Sequence, residues 1–226
     1  MHVHRSFVLV PAFALAVATS AMAQQVGPRS GVASGPDQRG YIAALAGAVS
    51  GPPAEPVFAV EYGESLHPDV QAYATLSYFD NVMPRSLRND VLALATELSG
   101  LTDVPWSLTG RDRAVTFAAG GKYLIGHRRV RPYVGAGAGI INLKRTITEA
   151  RIGDVTTAVF NDFDIGQIDL SLEAAGVTRP LGEVAVGVGI VAGRTYVDVG
   201  YRYRRAFGLA TTLDLSQFTA GVGYSF

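Results

Sequence analysis

Apolar residues alternate with small or polar residues, with a period of two, along most of the chain. In the segment 181–192, Val184 and Val186 are apolar, whereas Glu183 and Gly187 lie on the opposite face. Successive side chains of a β-strand point to opposite faces, so this alternation predicts strands that separate two different environments. The predicted strands are the eight segments 39–50, 56–66, 69–80, 112–126, 131–145, 181–192, 194–206 and 215–226.

One face of these strands is large and apolar, and the other is small, rich in glycine or charged. A soluble barrel would turn the apolar face inward, whereas a membrane barrel would turn it toward lipid. Aromatic residues near the strand ends favour the membrane barrel, because aromatic girdles lie at membrane interfaces. These residues are Tyr201, Tyr203, Tyr224 and Phe226. A soluble, exported β-barrel is the alternative.

The predicted connections alternate in length. The second and third, fourth and fifth, and sixth and seventh strands are joined by short turns, whereas the connections 81–111 and 146–180 are long. All the short turns fall on the side of both chain termini. Short turns on one side and longer loops on the other are typical of β-barrels that span a bacterial membrane.

The N-terminus has the layout of a cleaved secretory signal. It contains one early cation, an apolar run from Phe7 to Thr19, and small residues before Gln24. An uncleaved membrane helix is the alternative, but the apolar run is shorter than the roughly 20 residues that a spanning helix needs. We therefore expect a signal peptide at 1–23, a flexible leader at 24–38 and a single barrel domain at 39–226.

Charge and composition argue against several function classes. The chain has 19 basic and 19 acidic residues, so it offers no excess positive charge to nucleic acid. It has no cysteine, so disulfides cannot stabilise it. His2 and His4 lie in the predicted signal, and His67 and His127 lie in predicted short turns, away from the long loops. We expect no catalytic residues, no metal site and no cofactor.

Charged residues on the small face form a candidate network inside the barrel. They are Glu61, Lys122, Glu183, Asp198 and Arg202, with Arg204 as a further candidate. Eight strands enclose a space that side chains fill, which favours paired charges over a conducting path. Asp198 and Arg202 lie about 13 Å apart along one strand, at about 3.3 Å per residue. We therefore expect each to find its partners across the barrel, among Glu61, Lys122 and Glu183.

The first long loop contains apolar residues at helical spacing. They are Leu87, Val91, Leu94 and Leu98, which follow Pro84 and precede Gly100, the predicted end of the helix. A second stretch, ending near Gly176, contains Ile165, Ile168, Leu172 and Ala175. We expect two short helices in external loops. Capping the barrel mouth is favoured over lying on the membrane or binding a partner.

The chain resembles the small eight-stranded outer-membrane β-barrel proteins of Gram-negative bacteria, the opacity-protein-like and OmpA- or OmpX-type barrels. The resemblance is carried by RPYVGAGAGI (131–140), YVDVGYRYRR (196–205) and FTAGVGYSF (218–226). It implies an outer-membrane location, in contact with lipid and lipopolysaccharide. It also implies that the barrel-assembly machinery reads a C-terminal signal that includes Tyr224 and Phe226. We expect a monomer without the peptidoglycan-binding module of larger OmpA-type proteins.

These observations predict an all-β protein, an eight-stranded antiparallel transmembrane β-barrel. Its expected role is structural, envelope-maintaining or adhesin-like, with possible surface partners at the external loops, and not enzymatic. The alternative is a binding or transport barrel for a small amphiphilic ligand gated by the loop helices. A lumen blocked by paired charges would argue against passage, and an apolar cavity beneath the loop helices would argue for a ligand.

Overall fold

The computed structural model describes residues 40–50, 54–126, 129–156, 176–209 and 212–226. The predicted signal peptide, leader and second loop helix lie outside these residues and stay predictions, as does the placement of His127.

Eight long strands, one two-residue strand and one helix make up the described part of the chain. In chain order they are β1 Gly40–Val49, β2 Glu55–His67, β3 Val70–Phe79, α1 Arg85–Thr102, β4 Leu108–Leu124, β5 Val130–Glu149, β6 Gly153–Asp154, β7 Val177–Ala192, β8 Thr195–Ala206 and β9 Leu213–Ser225. The long strands coincide with the eight predicted segments. β4, β5 and β7 extend further toward the long loops than the alternation indicated, and β6 adds a short hairpin to the tip of β5.

The long strands close into an antiparallel barrel. Each pairs with the next long strand along the chain, β4 pairs directly with β5, and β1 pairs with β9 to complete the circle. At this closure Leu45 lies opposite Gly221, and Tyr41 lies opposite Ser225. The predicted fold class is confirmed. Closure leaves the eight long strands without an unpaired edge, so their backbone groups bond to one another.

The two ends of the barrel differ. The end that carries Gly40 and Ser225 also carries the short connections between β2 and β3, β4 and β5, and β7 and β8; we call it the terminal end. The other end, which we call the loop end, carries the longer connections. At the terminal end, Gly193 turns the chain with a φ of 62°, a conformation that favours glycine.

The outer wall is apolar and the interior is mixed. Phe58, Val186 and Phe218 point outward and are 56%, 50% and 63% exposed. The intervening side chains of the same strands point inward and are buried. Toward the loop end the interior is filled by an apolar layer, which includes Val49, Val57, Phe79, Ile141, Leu181 and Leu215.

Helix α1 covers part of the loop end. Its buried residues Leu87, Val91, Leu94 and Leu98 pack with Met83, with Leu108 of β4 and with Ile147 of β5. The four apolar positions predicted from their spacing therefore form the face that meets the barrel. No helix in the described ranges has the length and apolarity needed to cross a bilayer.

The predicted end of this helix at Gly100 is wrong. The helix continues to Thr102, and Asp103 takes the left-handed conformation at its end, with a φ of 50°. Trp106 explains the extra residues: its backbone N–H donates to the Ser99 hydroxyl at 2.8 Å, and its indole N–H donates to the Thr102 hydroxyl at 2.9 Å. These bonds hold the last turn in helical form past the glycine.

Candidate functional site

The charged side chains of the small strand face lie inside the barrel, where at most 3% of each is exposed. They come from four strands: Glu61 from β2, Lys122 from β4, Glu183 from β7, and Asp198, Arg202 and Arg204 from β8. They are three cations and three carboxylates, so the formal charges of the set balance. Balance is required here, because an unpaired buried charge costs several kcal/mol.

Glu61 is the acceptor at the centre of this set. Its Oε1 accepts from Lys122 Nζ and from the Tyr41 hydroxyl, both at 2.5 Å. Its Oε2 accepts from the Thr75 hydroxyl at 3.0 Å and from Arg202 Nη2. Lys122 Nζ also lies 2.9 Å from the Tyr41 oxygen. The carboxylate is thus neutralised by two cations and held by two hydroxyls.

Glu183 is the second carboxylate acceptor of this set. Its Oε2 accepts from Arg204 Nε, and its Oε1 accepts from the Tyr73 hydroxyl at 2.8 Å and from Arg202 Nη1 at 3.5 Å. Arg202 therefore bridges Glu61 and Glu183. The ion pairs form one chain in the order Lys122, Glu61, Arg202, Glu183, Arg204.

This chain of ion pairs crosses the barrel interior from wall to wall. Arg204, which projects from β8, donates through Nη1 to the hydroxyls of Ser77 on β3 and Thr116 on β4, at 3.0 and 3.1 Å. Arg202, also from β8, reaches Glu61 on β2. The polar side chains thus fill the cross-section that eight strands enclose.

Asp198 has partners that differ from the expected cations. Its Oδ1 accepts from the Tyr133 hydroxyl at 3.1 Å, and its Oδ2 accepts from the Tyr196 hydroxyl at 2.9 Å. Tyr196 stacks on Tyr41 with ring centroids 4.0 Å apart. Lys122 Nζ lies 4.4 Å from the centroid of the Tyr133 ring, so the ring whose hydroxyl bonds to Asp198 also contacts a cation of the network.

The tyrosines inside the barrel were missed by the sequence interpretation, which placed aromatic residues at the membrane interfaces. The sequence signal that could have located them is their position in the alternation of each strand. Tyr73 shares the face of Thr75, and Tyr196 shares the face of Asp198. A tyrosine on the small, polar face of an alternating strand points into the lumen, where its hydroxyl needs a partner.

Glycines on the same face make room for these rings. A Cβ atom at Gly63 would overlap the ring of Tyr41. A Cβ atom at Gly187 would lie 2.5 Å from the Tyr133 hydroxyl oxygen, and one at Gly200 would lie 2.7 Å from it. Each of these three glycines therefore faces a tyrosine.

A second buried ion pair lies nearer the loop end. Arg145 of β5 donates to both oxygens of Asp112 of β4, from Nε at 2.7 Å and from Nη2 at 2.6 Å. The apolar layer separates this bidentate pair from the network. Both side chains lie on the inward face, so the alternation could have identified them, but Asp112 and Arg145 are the end residues of the predicted strands 112–126 and 131–145.

At the β5–β6 hairpin, outside the barrel wall, the Glu149 carboxylate holds the turn. It accepts from the backbone N–H groups of Arg151 and Ile152 at 2.6 and 2.9 Å. Burial raises the pKa of Glu149, but these two backbone donors outweigh it and hold the pKa below its usual value. The side chain of Arg151 also donates to the Pro105 carbonyl, which ties the hairpin to the loop after α1.

A cavity of about 370 Å³ opens at the loop end, between the start of α1 and the ends of β1 and β9. Its base is formed by apolar residues that also belong to the interior: Val49, Val82, Leu213 and Leu215. Arg85 and Arg88 of α1 lie at its rim.

The two residues of the expected assembly signal, Tyr224 and Phe226, lie on the outer wall at the terminal end. Tyr224 and Phe226 are 46% and 51% exposed. The backbone N–H and C=O of Phe226 bond to Gly40 at 2.9 and 3.0 Å, and its ring centroid lies 6.3 Å from that of Tyr62.

In the described residues, no group of three or more His, Asp or Glu side chains could hold a metal ion.

No family model matches the chain, and no curated protein matches its sequence. Among solved structures, it is similar to a major outer membrane protein from Thermus thermophilus, at 10% identity and a TM-score of 0.52, covering 83% of this chain and 99% of that one. It is also similar to Neisserial surface protein A, at 15% identity and a TM-score of 0.49, covering 83% of this chain and 96% of that one. A further similar structure is the outer membrane enzyme PagL, at 10% identity and a TM-score of 0.40, covering 81% of this chain and 97% of that one. At these identities the likeness shows the fold alone, which is that of the small outer-membrane β-barrels.

Proposed function

We propose that this protein is a non-enzymatic outer-membrane β-barrel with a closed lumen and a structural, envelope-maintaining or surface-interaction role. The observation that carries the proposal is the chain of ion pairs from Lys122 to Arg204, which joins β2, β4, β7 and β8 across the interior. Each carboxylate in it is held by cations or hydroxyls, so none is left as a free acid, base or nucleophile.

The outer wall supports a position in a bilayer. Apolar side chains such as Val184, Phe117 and Val222 are 53%, 42% and 58% exposed on different strands. Soluble monomers rarely expose large contiguous apolar surfaces to water, so apolar side chains exposed on strand after strand are unfavourable there. In lipid such a surface stabilises the protein.

Cations lie on the outer wall just beyond this apolar belt, toward the loop end. Arg113 on β4 lies directly opposite Lys144 on β5, an arrangement of like charges that is unfavourable without an anion nearby. Asp80 offers one carboxylate, 2.9 Å from Arg111 and 4.0 Å from Arg113, and Asp154 lies close enough to Lys144 for the two charges to attract. We propose that lipid or lipopolysaccharide phosphates supply the remaining negative charge here.

Transport of a small amphiphile through the barrel is the second candidate. The charge network opposes passage through the lumen, whereas the cavity beside α1 favours binding of a ligand at the mouth. Binding without passage is compatible with the proposed closed barrel.

Fractionation with a gel-mobility assay tests the proposed location. A folded outer-membrane barrel is expected in the outer-membrane fraction, and it should migrate differently before and after boiling. Recovery in the soluble periplasmic fraction would support the soluble, exported barrel instead. The same preparation would show whether residues 1–23 have been removed, by its intact mass.

A further inference from the structure

The cavity at the loop end combines an apolar floor with a cationic rim. Its volume of about 370 Å³ lies within the 300–1,000 Å³ range of pockets that bind small molecules. Val49, Leu213 and Leu215 on its floor are at most 8% exposed and belong to the apolar layer of the barrel interior. A ligand with an apolar tail could therefore extend this layer toward the mouth.

Arg85 and Arg88 on the rim lack charged partners. Neither forms an ion pair with any part of the chain that the structure describes. Both lie in the first turns of α1, where a positive charge is unfavourable because the helix dipole is positive at that end. The first turn contains no acidic residue, and no side chain caps it. The placement of these two arginines thus costs stability unless an anion offsets it.

The strands that line the cavity contribute acidic residues. Glu55 of β2 and Asp214 of β9 are among its lining residues. Asp214 pairs with Arg205 at 3.1 Å, so Glu55 is the carboxylate on the rim without a cation among the described residues. This division of charge orients a ligand: a negative head group is attracted to the α1 side and repelled by the Glu55 side.

We infer that this cavity binds an anionic amphiphile, with its head group at Arg85 and Arg88 and an apolar tail on the floor of Val49, Leu213 and Leu215. The site is independent of the lumen network, which lies deeper in the barrel, so it requires no passage through the protein. The inference rests on the second candidate function, binding of a small amphiphile at the mouth, and deepens it by assigning the charge of the ligand and the residues that hold it.

Met83 gives a direct probe of this cavity. It lines the pocket, and the chain contains three methionines, of which Met1 and Met22 lie in the predicted signal. The full chain is labelled with ¹³C-methyl methionine and reconstituted in phosphatidylcholine nanodiscs, and the Met83 signal is identified from its loss in Met83→Leu. Decanoate is then titrated, with decyltrimethylammonium as the cationic amphiphile of equal tail length.

Decanoate is expected to shift the Met83 signal saturably, with an affinity at least about fivefold higher than that of decyltrimethylammonium. The double variant Arg85→Gln/Arg88→Gln should remove this preference, and Glu55→Gln should strengthen decanoate binding. Arg194→Gln, which removes an exposed cation at the terminal end of the barrel, serves as the matched control and should bind as the unmodified protein does.

A further sample distinguishes a bilayer lipid from an amphiphile in the medium as the source of the anion. It uses nanodiscs that contain phosphatidylglycerol, without added amphiphile. A Met83 shift in this sample assigns the site to a bilayer lipid, and a shift with decanoate alone assigns it to an amphiphile from the medium. Equal affinity for decanoate and decyltrimethylammonium, a shift that does not saturate, or unchanged binding by the double variant would each overturn the inference.

Discussion

Arg202 is the residue on which the lumen network depends most. It is fully buried and bridges Glu61 and Glu183, which come from opposite sides of the interior. Without Arg202, Glu61 would keep Lys122 as a partner and Glu183 would keep Arg204, but both carboxylates would lose the donor that they share. Strand parity predicted that this side chain points inward and placed Glu61 and Glu183 among its candidate partners; which candidates it reaches depends on barrel closure.

We expect Arg202→Ala to lower the free energy of unfolding by about 3–5 kcal/mol, since removal of one member of a buried ion-pair set leaves uncompensated charge. Urea titrations of the protein folded into lipid vesicles measure the change. The matched control is Arg113→Ala on the outer wall, whose side chain is 51% exposed. Exposed ion pairs contribute only about 0–1 kcal/mol. Equal effects of the two substitutions would contradict a tightly packed network.

A substitution of Gly187 tests how tightly the lumen is packed beside Tyr133, because alanine adds a single carbon atom there. The structure shows a tight lumen, since an added Cβ would lie 2.5 Å from the Tyr133 hydroxyl and would displace its bond to Asp198. Gly187→Ala should therefore destabilise the barrel by about 1–3 kcal/mol.

Gly121→Ala is the matched control for this substitution. Gly121 is also a strand glycine, but the nearest atom to its added Cβ is the Gln71 carbonyl oxygen at 4.0 Å. The same urea titration should show little change in the control. If Gly187→Ala were as mild as Gly121→Ala, Tyr133 would not be confined as the structure indicates.

At the scale of elements, helix α1 was predictable in its position and its buried face but not in its end. The spacing of Leu87, Val91, Leu94 and Leu98 follows from the 3.6-residue period, which is local information. The end depends on Trp106, whose bonds to Ser99 and Thr102 form only when the chain folds back. Gly100 is a signal for a helix end that this tertiary contact overrides.

Leu94→Ala should loosen α1 without opening the barrel. Leu94 is 1% exposed in the cluster between α1 and the loop end of β4 and β5, and removing a buried leucine side chain costs about 2–5 kcal/mol. We expect faster hydrogen exchange of the α1 amides and unchanged exchange in β1–β9. Leu92→Ala, at a position that is 54% exposed, is the control. Slow exchange in α1 of both variants would argue against docking through this face.

At the scale of the whole molecule, the eight strands and the alternation of loop lengths were predictable, because each strand separates two environments along its entire length. The partners of Asp198 were not predictable from strand position, since Tyr133 lies 65 residues away in the chain. The inward parity of Tyr73 and Tyr196 was available, but aromatic residues were assigned to the membrane interfaces, where barrels of this kind also place them.

The C-terminal residue connects the folded barrel to its assembly. Phe226 keeps its place through backbone bonds to Gly40, and its ring is 51% exposed. We expect Phe226→Ala to change the stability of the purified, refolded barrel by less than about 1 kcal/mol, as is usual when little surface becomes buried. The same variant should reduce the folded barrel recovered in the outer membrane, without an equal loss of synthesis.

Phe218→Ala is the control, because Phe218 lies on β9, the strand that leads to Phe226, and points outward with 63% exposure. Equal outer-membrane levels of the Phe226 and Phe218 variants, measured by fractionation, would argue against a role of Phe226 in assembly.

Conductance in planar bilayers is the most direct test of the closed lumen. The ion pairs and hydroxyls around Glu61 and Glu183 fill the interior, so we predict no stable channel in the unmodified protein. Arg202→Ala alone should not create one, since the neighbouring side chains still fill an eight-stranded barrel. A stable, ion-selective channel in the unmodified protein, with a selectivity that changes in Arg202→Ala, would contradict the closed barrel and favour transport.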